Sequence, residues 1–130
     1  MIYLLDTNAA IKILNGDTGL IRRIHRHHSR DIGLPAIVMH ELYFGAFKGR
    51  HTNRTIALIE RLAFEIVDLQ LEDARCAAEI RAILQAAGTP IGPYDLLIAG
   101  QALARDLTLI THNRREFSRV QGLRVEDWEA

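Results

Sequence analysis

Short runs of consecutive apolar residues alternate along this chain with longer stretches in which apolar positions recur every three or four residues. The first kind suits strands buried on both faces, and the second suits helices with one face against a core. Ile2 to Leu5 is a run of the first kind and ends on Asp6. Thr7 and Asn8 offer caps for a helix through Leu14 that stops near Gly16, and Asp17 can cap another running to about His28. Ile32 to Leu34 predicts a brief second strand. Pro35 suits the first position of a helix reaching about Lys48, because its missing N–H would have no partner there. Another helix is expected over Thr55 to Leu62, a strand over Phe64 to Val67, and a long helix from Glu72 to Ala87 closed by Gly88. Tyr94 to Ala104 predicts a helix entered through Gly92 and Pro93, and Leu107 to Thr111 a strand. A short helix around Arg114 to Ser118 and an extended piece around Leu123 to Glu126 follow. Short apolar strands alternating with helices predict an α/β fold, its parallel sheet covered on both faces because parallel neighbours require crossover connections.

Three carboxylates interrupt this pattern. Counting by three and four from Glu41 places Ile37, Phe44 and Gly45 on its helix face, core-type residues that would turn Glu41 inward. The same count from Asp95 places Ile98, Ala99 and Ala102 beneath it. Asp6 closes a wholly apolar strand, and open parallel sheets bind ligands in the crevice outside the carboxyl ends of their strands. Each acid also has a plainer reading: Asp6 as a helix cap, Asp95 as a group facing a helix dipole, Glu41 as a rim or salt-bridge residue. Convergence on one rim has a consequence that the separate readings lack. Ionised carboxylates gathered away from bulk water require a compensating cation, and apart from Lys48 and His40 no basic residue is an obvious partner of Glu41 or Asp95. Oxygen ligands with no paired Cys or ordered His set favour Mg²⁺ or Mn²⁺ over Zn²⁺.

Composition narrows the partners. The 130 residues are 48% hydrophobic and 25% charged, which suits one compact unit, and no repeat or linker divides them. Lys plus Arg and Asp plus Glu each number 16, so the formal net charge is +0 and any attraction to nucleic acid must be local. Cys76 is the only cysteine and lies in an apolar helical stretch, so it reads as a small core residue in a reducing cytoplasm. No run approaches the ~20 apolar residues that span a bilayer, and no export signal opens the chain, so a cytoplasmic protein is expected.

Four blocks carry a resemblance: LLDTN at Leu4 to Asn8, HELYFGA at His40 to Ala46, PIGPYDLLIAGQA at Pro90 to Ala102, and THNRREF at Thr111 to Phe117. In order and spacing, down to the closing GLRVEDW at Gly122 to Trp128, the chain resembles the PIN-domain ribonucleases, specifically the VapC-type toxins of bacterial type II toxin–antitoxin systems. The resemblance implies a PIN-like α/β fold over residues 1–130 as a single domain, with a four-to-five-stranded parallel sheet and helices on both faces. It implies an acidic pocket for Mg²⁺ or Mn²⁺, in which Asp6, Glu41 and Asp95 match the family's catalytic acids. Asp6 and Asp95 would be the metal ligands, and Glu41 would help hold the metal or position the attacking water. The family's fourth acid is often an Asp before Phe. Here Glu116 precedes Phe117, so Glu116 and nearby Asn113 are assigned auxiliary roles. The implied activity is that of a toxin cleaving RNA with a divalent metal, and the EF and EDW endings point to tRNA. The implied partners are a second copy in a homodimer and a VapB-type antitoxin, through which alone operator DNA would be reached. The alternative is a PIN-fold binding module without catalysis.

Other residues carry two readings each. The basic run Arg22, Arg23, His25, Arg26, His27, His28, Arg30 could contact RNA phosphates or form a solvated face. Arg114, Arg115 and Arg119, expected beside the rim, could clamp phosphates or pair with Glu116. Thr7 and Asn8 are read first as caps. Core packing is expected of Phe44 and exposure of Tyr43 or Phe47, while Trp128 is expected to staple the last segment to the body.

Overall fold

The computed structural model describes residues Met1–Glu129. Among them five strands form one parallel sheet: β1 (Tyr3–Leu5), β2 (Ile32–Pro35), β3 (Glu65–Val67), β4 (Thr108–Ile110) and β5 (Val125–Glu126). The helices are α1 (Thr7–Leu14), α2 (Thr18–Ile24), α3 (Ala36–Lys48), α4 (Thr52–Glu60), α5 (Leu71–Ala86), α6 (Pro93–Ala104) and the short α7 (Arg114–Phe117). Strand order is β3-β2-β1-β4-β5. β1 sits at the centre, pairing Leu4 with Gly33 on one side and with Leu109 on the other. The chain builds outward from β1 through β2 and β3, then crosses back to place β4 and β5 on the opposite side. That reversal opens a crevice at the carboxyl ends of β1 and β4, where Asp6 and Thr111 follow their strands.

Consecutive residues of the inner strands are buried: Leu4, Leu5, Ile32, Gly33, Leu34, Leu109 and Ile110 all lie in the interior. Since neighbouring strand residues face opposite sides, both faces of the sheet are covered, as the unbroken apolar runs predict. The edges are short, and β3 leaves Glu65 and Ile66 exposed. α5 and α6 form the most extensive helix pair, and Gly100 lets them meet. A β-carbon there would lie 2.6 Å from both the backbone nitrogen and Cβ of Ala77. Gly100→Ala is therefore expected to push the helices apart and lower stability by about 1–3 kcal/mol in urea unfolding. No helix among the described residues is long and apolar enough to cross a membrane.

Several boundaries differ from the sequence pattern. The helix after Asp17 ends at Ile24 rather than near His28, because His28 Nδ1 accepts from the Arg30 N–H at 3.3 Å and opens a 3₁₀ turn over Ser29–Asp31. Pro35 closes β2 and caps α3 instead of being its first residue. α4 starts at Thr52, whose hydroxyl donates to the Ala46 carbonyl at 2.9 Å. The largest difference concerns the face of α3. Its buried residues are Val38, Leu42 and Ala46, while Phe44, expected in the core, is 59% exposed. Apolar residues ring this helix, so periodicity alone cannot choose the inward face. Phe47 is exposed, and Tyr43 is half-buried and stacked with it at 6.4 Å.

The tail is held by aromatic contacts. Buried Trp128 stacks on His27 with centroids 4.6 Å apart and meets the edge of Tyr3 at 4.9 Å. Its indole N–H donates to Glu126 Oε1 at 3.0 Å, and the Arg23 guanidinium lies 5.9 Å over its ring. Two members of the basic run are thus engaged in packing, and Arg22, His25, Arg26, His28 and Arg30 remain exposed. Cys76 is half-buried on α5, its thiol pushed up by burial and then by the Glu79 and Asp73 carboxylates, which suits packing rather than nucleophilic attack.

Candidate metal centre

Asp6 is the residue at which β1 becomes α1. Its Oδ1 accepts the Ala9 N–H at 2.8 Å and its carbonyl accepts the Ala10 N–H at 3.1 Å, so Asp6 itself, rather than Thr7 or Asn8, caps the helix. Oδ2 accepts the hydroxyl of Thr111, the residue that follows β4. The side chain is 2% exposed. Burial pushes its pKa up to about 6, against the two hydrogen bonds that favour the ionised form, and the Asp95 and Glu129 carboxylates push in the same direction as burial.

Thr7, freed from capping, donates its hydroxyl to Glu41 Oε1 at 2.7 Å and ties the start of α1 to α3. Glu41 is half-buried beside Leu42, at the shoulder of the true inward stripe. Asp95 stands in the first turn of α6, after Gly92 and Pro93 have opened the helix. Its pKa is also raised to about 6, by burial first and then by Glu116 and Glu41. On the far side of the crevice Asn113 donates its backbone N–H to Thr111 Oγ1 at 2.9 Å and its Nδ2 to Glu116 Oε2 at 3.0 Å.

Asp95 thus stands within electrostatic range of Asp6, Glu41 and Glu116, acids from three other parts of the fold. Among the described residues none of the four forms an ion pair with Lys, Arg or His. Nor do any three of them place carboxylate oxygens within 4.8 Å of one another, so the rim is open rather than a closed cage. The all-oxygen donor set is of the kind that suits Mg²⁺ or Mn²⁺, which bind through one or two carboxylates and keep several waters. Asp6 and Asp95, the two acids whose ionisation is opposed, gain most from such a cation.

The arginines divide. Glu116 takes its hydrogen bond from Asn113 rather than from a guanidinium, and Arg119 Nη1 donates to the Pro90 carbonyl at 3.0 Å. Arg114 and Arg115 are exposed at the start of α7. Thr111 was not among the residues the sequence patterns single out. A hydroxyl directly after a strand at the sheet's reversal point is the signal that could have marked it. A cavity of about 440 Å³ elsewhere, lined by Ile80, Ile83, Leu103 and Val120, has the apolar walls of a packing groove and none of the four acids.

Residues 3–123 match the PIN domain family. The chain is 37% identical over 128 residues, 97% of each sequence, to the tRNA(fMet)-specific endonuclease VapC of Salmonella typhimurium. It is 35% identical over 128 residues, again 97% of each, to the ribonuclease VapC2 of Haemophilus influenzae. Among solved structures it superposes on a chain of DNA-bound VapBC from Salmonella typhimurium with a TM-score of 0.94 and 36% identity, covering 98% of both chains. VapBC-1 from nontypeable Haemophilus influenzae superposes with a TM-score of 0.90 and 30% identity over 100% of both. With the five-stranded parallel sheet and its acidic crevice, these similarities show that the chain belongs to the PIN domain family, in its VapC-type branch.

Proposed function

We propose that this protein is a toxin that hydrolyses phosphodiester bonds in RNA, with Asp6, Glu41 and Asp95 as its catalytic residues and Mg²⁺ or Mn²⁺ as its cofactor. The observation that carries the reading is the set of acids at the β1–β4 crevice, which no cation among the described residues neutralises. Two of them are held at a pKa of about 6. Bare carboxylates repel a phosphodiester, so a rim of this kind meets RNA only after a positive ion has reversed its sign. When bound, the ion supplies Lewis acidity and a lowered pKa for the attacking water. Asp6 and Asp95 hold it, and Thr111 fixes the rotamer of Asp6 from the neighbouring strand. Glu41, steadied through Oε1 by Thr7, has its second oxygen available to accept the water's proton. Asn113 and Glu116 close the far side as an auxiliary pair. Arg114 and Arg115 present guanidinium groups to the phosphates of the strand.

The substrate class proposed is tRNA, in keeping with the Salmonella relative named for tRNA(fMet). Solved VapBC complexes of this fold support a VapB-type antitoxin as the neutralising partner, and the DNA in one of them supports operator binding through that partner. The whole of residues 1–130 is taken as one PIN domain acting as a homodimer in the cytoplasm. The test is incubation of purified toxin with total RNA, with and without Mg²⁺ or Mn²⁺, followed by mapping of the new ends. Discrete cuts in tRNA that vanish with chelator are expected. A folded, metal-saturated protein that leaves all RNA intact would instead identify a binding module of the same fold.

A further inference from the structure

Next to the acidic rim, the exit of β4 and the tail beyond β5 bring together His112, Asp127 and Glu129, each with a donor atom within 4.8 Å of the others. His112 Nδ1 lies 2.9 Å from Asp127 Oδ2. Adjacent donors on one transition-metal ion have this spacing, since bonds of about 2.0–2.2 Å set them about 3 Å apart. An ion pair alone would explain that contact. It does not explain Glu129, whose side chain is only 10% exposed. Glu129 Oε1 accepts from Lys12 Nζ at 2.9 Å, while Oε2 is buried with no hydrogen-bond partner among the described residues. A buried carboxylate oxygen left without a donor is destabilising. The same residue helps to line, with His112, Asn8, Lys12 and Asn15, a pocket of about 400 Å³ with room for an ion and its waters.

We infer that His112, Asp127 and Glu129 form a second cation site beside the rim, differing from it in its imidazole donor and suited to a borderline transition metal such as Zn²⁺. One imidazole and two carboxylates leave positions for water, and the nitrogen donor selects against Mg²⁺, which prefers oxygen alone. Lys12 reaches only Oε1, from a half-exposed position, and leaves Oε2 without a partner among the described residues. Occupancy would pin the segment carrying Trp128 to the end of β4.

The test uses the full-length chain without an affinity tag, stripped of metal, with Asp95→Asn to remove one ligand of the rim. Zn²⁺ alone is titrated by calorimetry, and melting is followed in parallel. This variant is expected to bind a single Zn²⁺ and to melt higher with it. Adding His112→Ala or Glu129→Gln is expected to weaken binding by more than about tenfold. His112 is 65% exposed at its side chain and Glu129→Gln is isosteric, so both variants keep the fold. No saturable binding in the first variant, or unchanged binding after either addition, would overturn the site. RNA cleavage plays no part in these readouts, so this inference and the nuclease reading fail separately.

Discussion

Asp6→Asn is expected to reduce RNA cleavage on the order of a thousandfold and, in the metal-free protein, to raise the melting temperature at neutral and higher pH. The second effect follows from the sign of the pKa shift. Asp6 is raised to about 6 in the folded protein, against roughly 3.9 in an unfolded chain. Between about pH 4 and about pH 6 the unfolded state gives up this proton first, so stability falls as pH rises through that window. Above it, the folded state carries the full penalty of a buried, repelled charge, about 3 kcal/mol for a shift of roughly two units. Asparagine carries no charge and keeps an amide oxygen for the Ala9 N–H, so the helix cap survives. The variant should therefore melt above wild type at about pH 8 and near it at about pH 4. Added Mg²⁺ should close the gap by stabilising wild type alone. Asp95→Asn should act in the same direction but less, because Asp95 is only half-buried and solvent screens its charge. Near-normal turnover, or a lower melting point at both pH values, would remove Asp6 from the proposed site.

Arg105→Ala is expected to cause a large loss of stability at a position outside the rim. Arg105 Nε and Nη2 donate to Asp73 at 3.2 and 2.8 Å, and Nη2 also donates to the Asp68 carbonyl at 2.9 Å. Asp73 is 2% exposed and at the same time accepts the Gln70 N–H at 2.9 Å in the capping box that opens α5. Removing the guanidinium leaves a buried carboxylate with one backbone donor, a situation that costs up to about 3–5 kcal/mol. Arg105→Lys should recover part of this, since a point charge replaces a two-pronged donor. Urea unfolding of both variants is the measurement, and a loss under about 1 kcal/mol for the alanine variant would mean that water reaches Asp73 after all. The pair lies outside the acidic crevice, so the fraction that remains folded should retain its turnover.

The order of strands and helices was legible because this sheet is buried on both faces, and its strands appear as uninterrupted apolar runs between periodic segments. Asp6, Glu41 and Asp95 were legible as acids set in apolar surroundings. The stripe counted through Phe44 is not the inward one, and Glu41 reaches the rim from the shoulder of α3, held by Thr7. Thr7 was read as a cap and Thr111 went unmarked because a hydroxyl reveals its partner only across the fold, 34 residues away for Thr7 and 105 for Thr111. The end of α2 was misplaced because His28, which looks like part of a basic helix, turns its ring onto the backbone and starts a different turn. Such local competition between side chain and backbone leaves no periodic trace.

The pairing of β1 with β4 joins the two ends of the chain at the point where chemistry is proposed. A ribosome delivers Asp6 early and Thr111 late, and a domain folds as a unit only after its parts have emerged. Until the later segment is out, β1 lacks one neighbour and the carboxylate of Asp6 lacks its hydroxyl. A growing copy therefore has no assembled crevice until β4 has emerged and paired with β1.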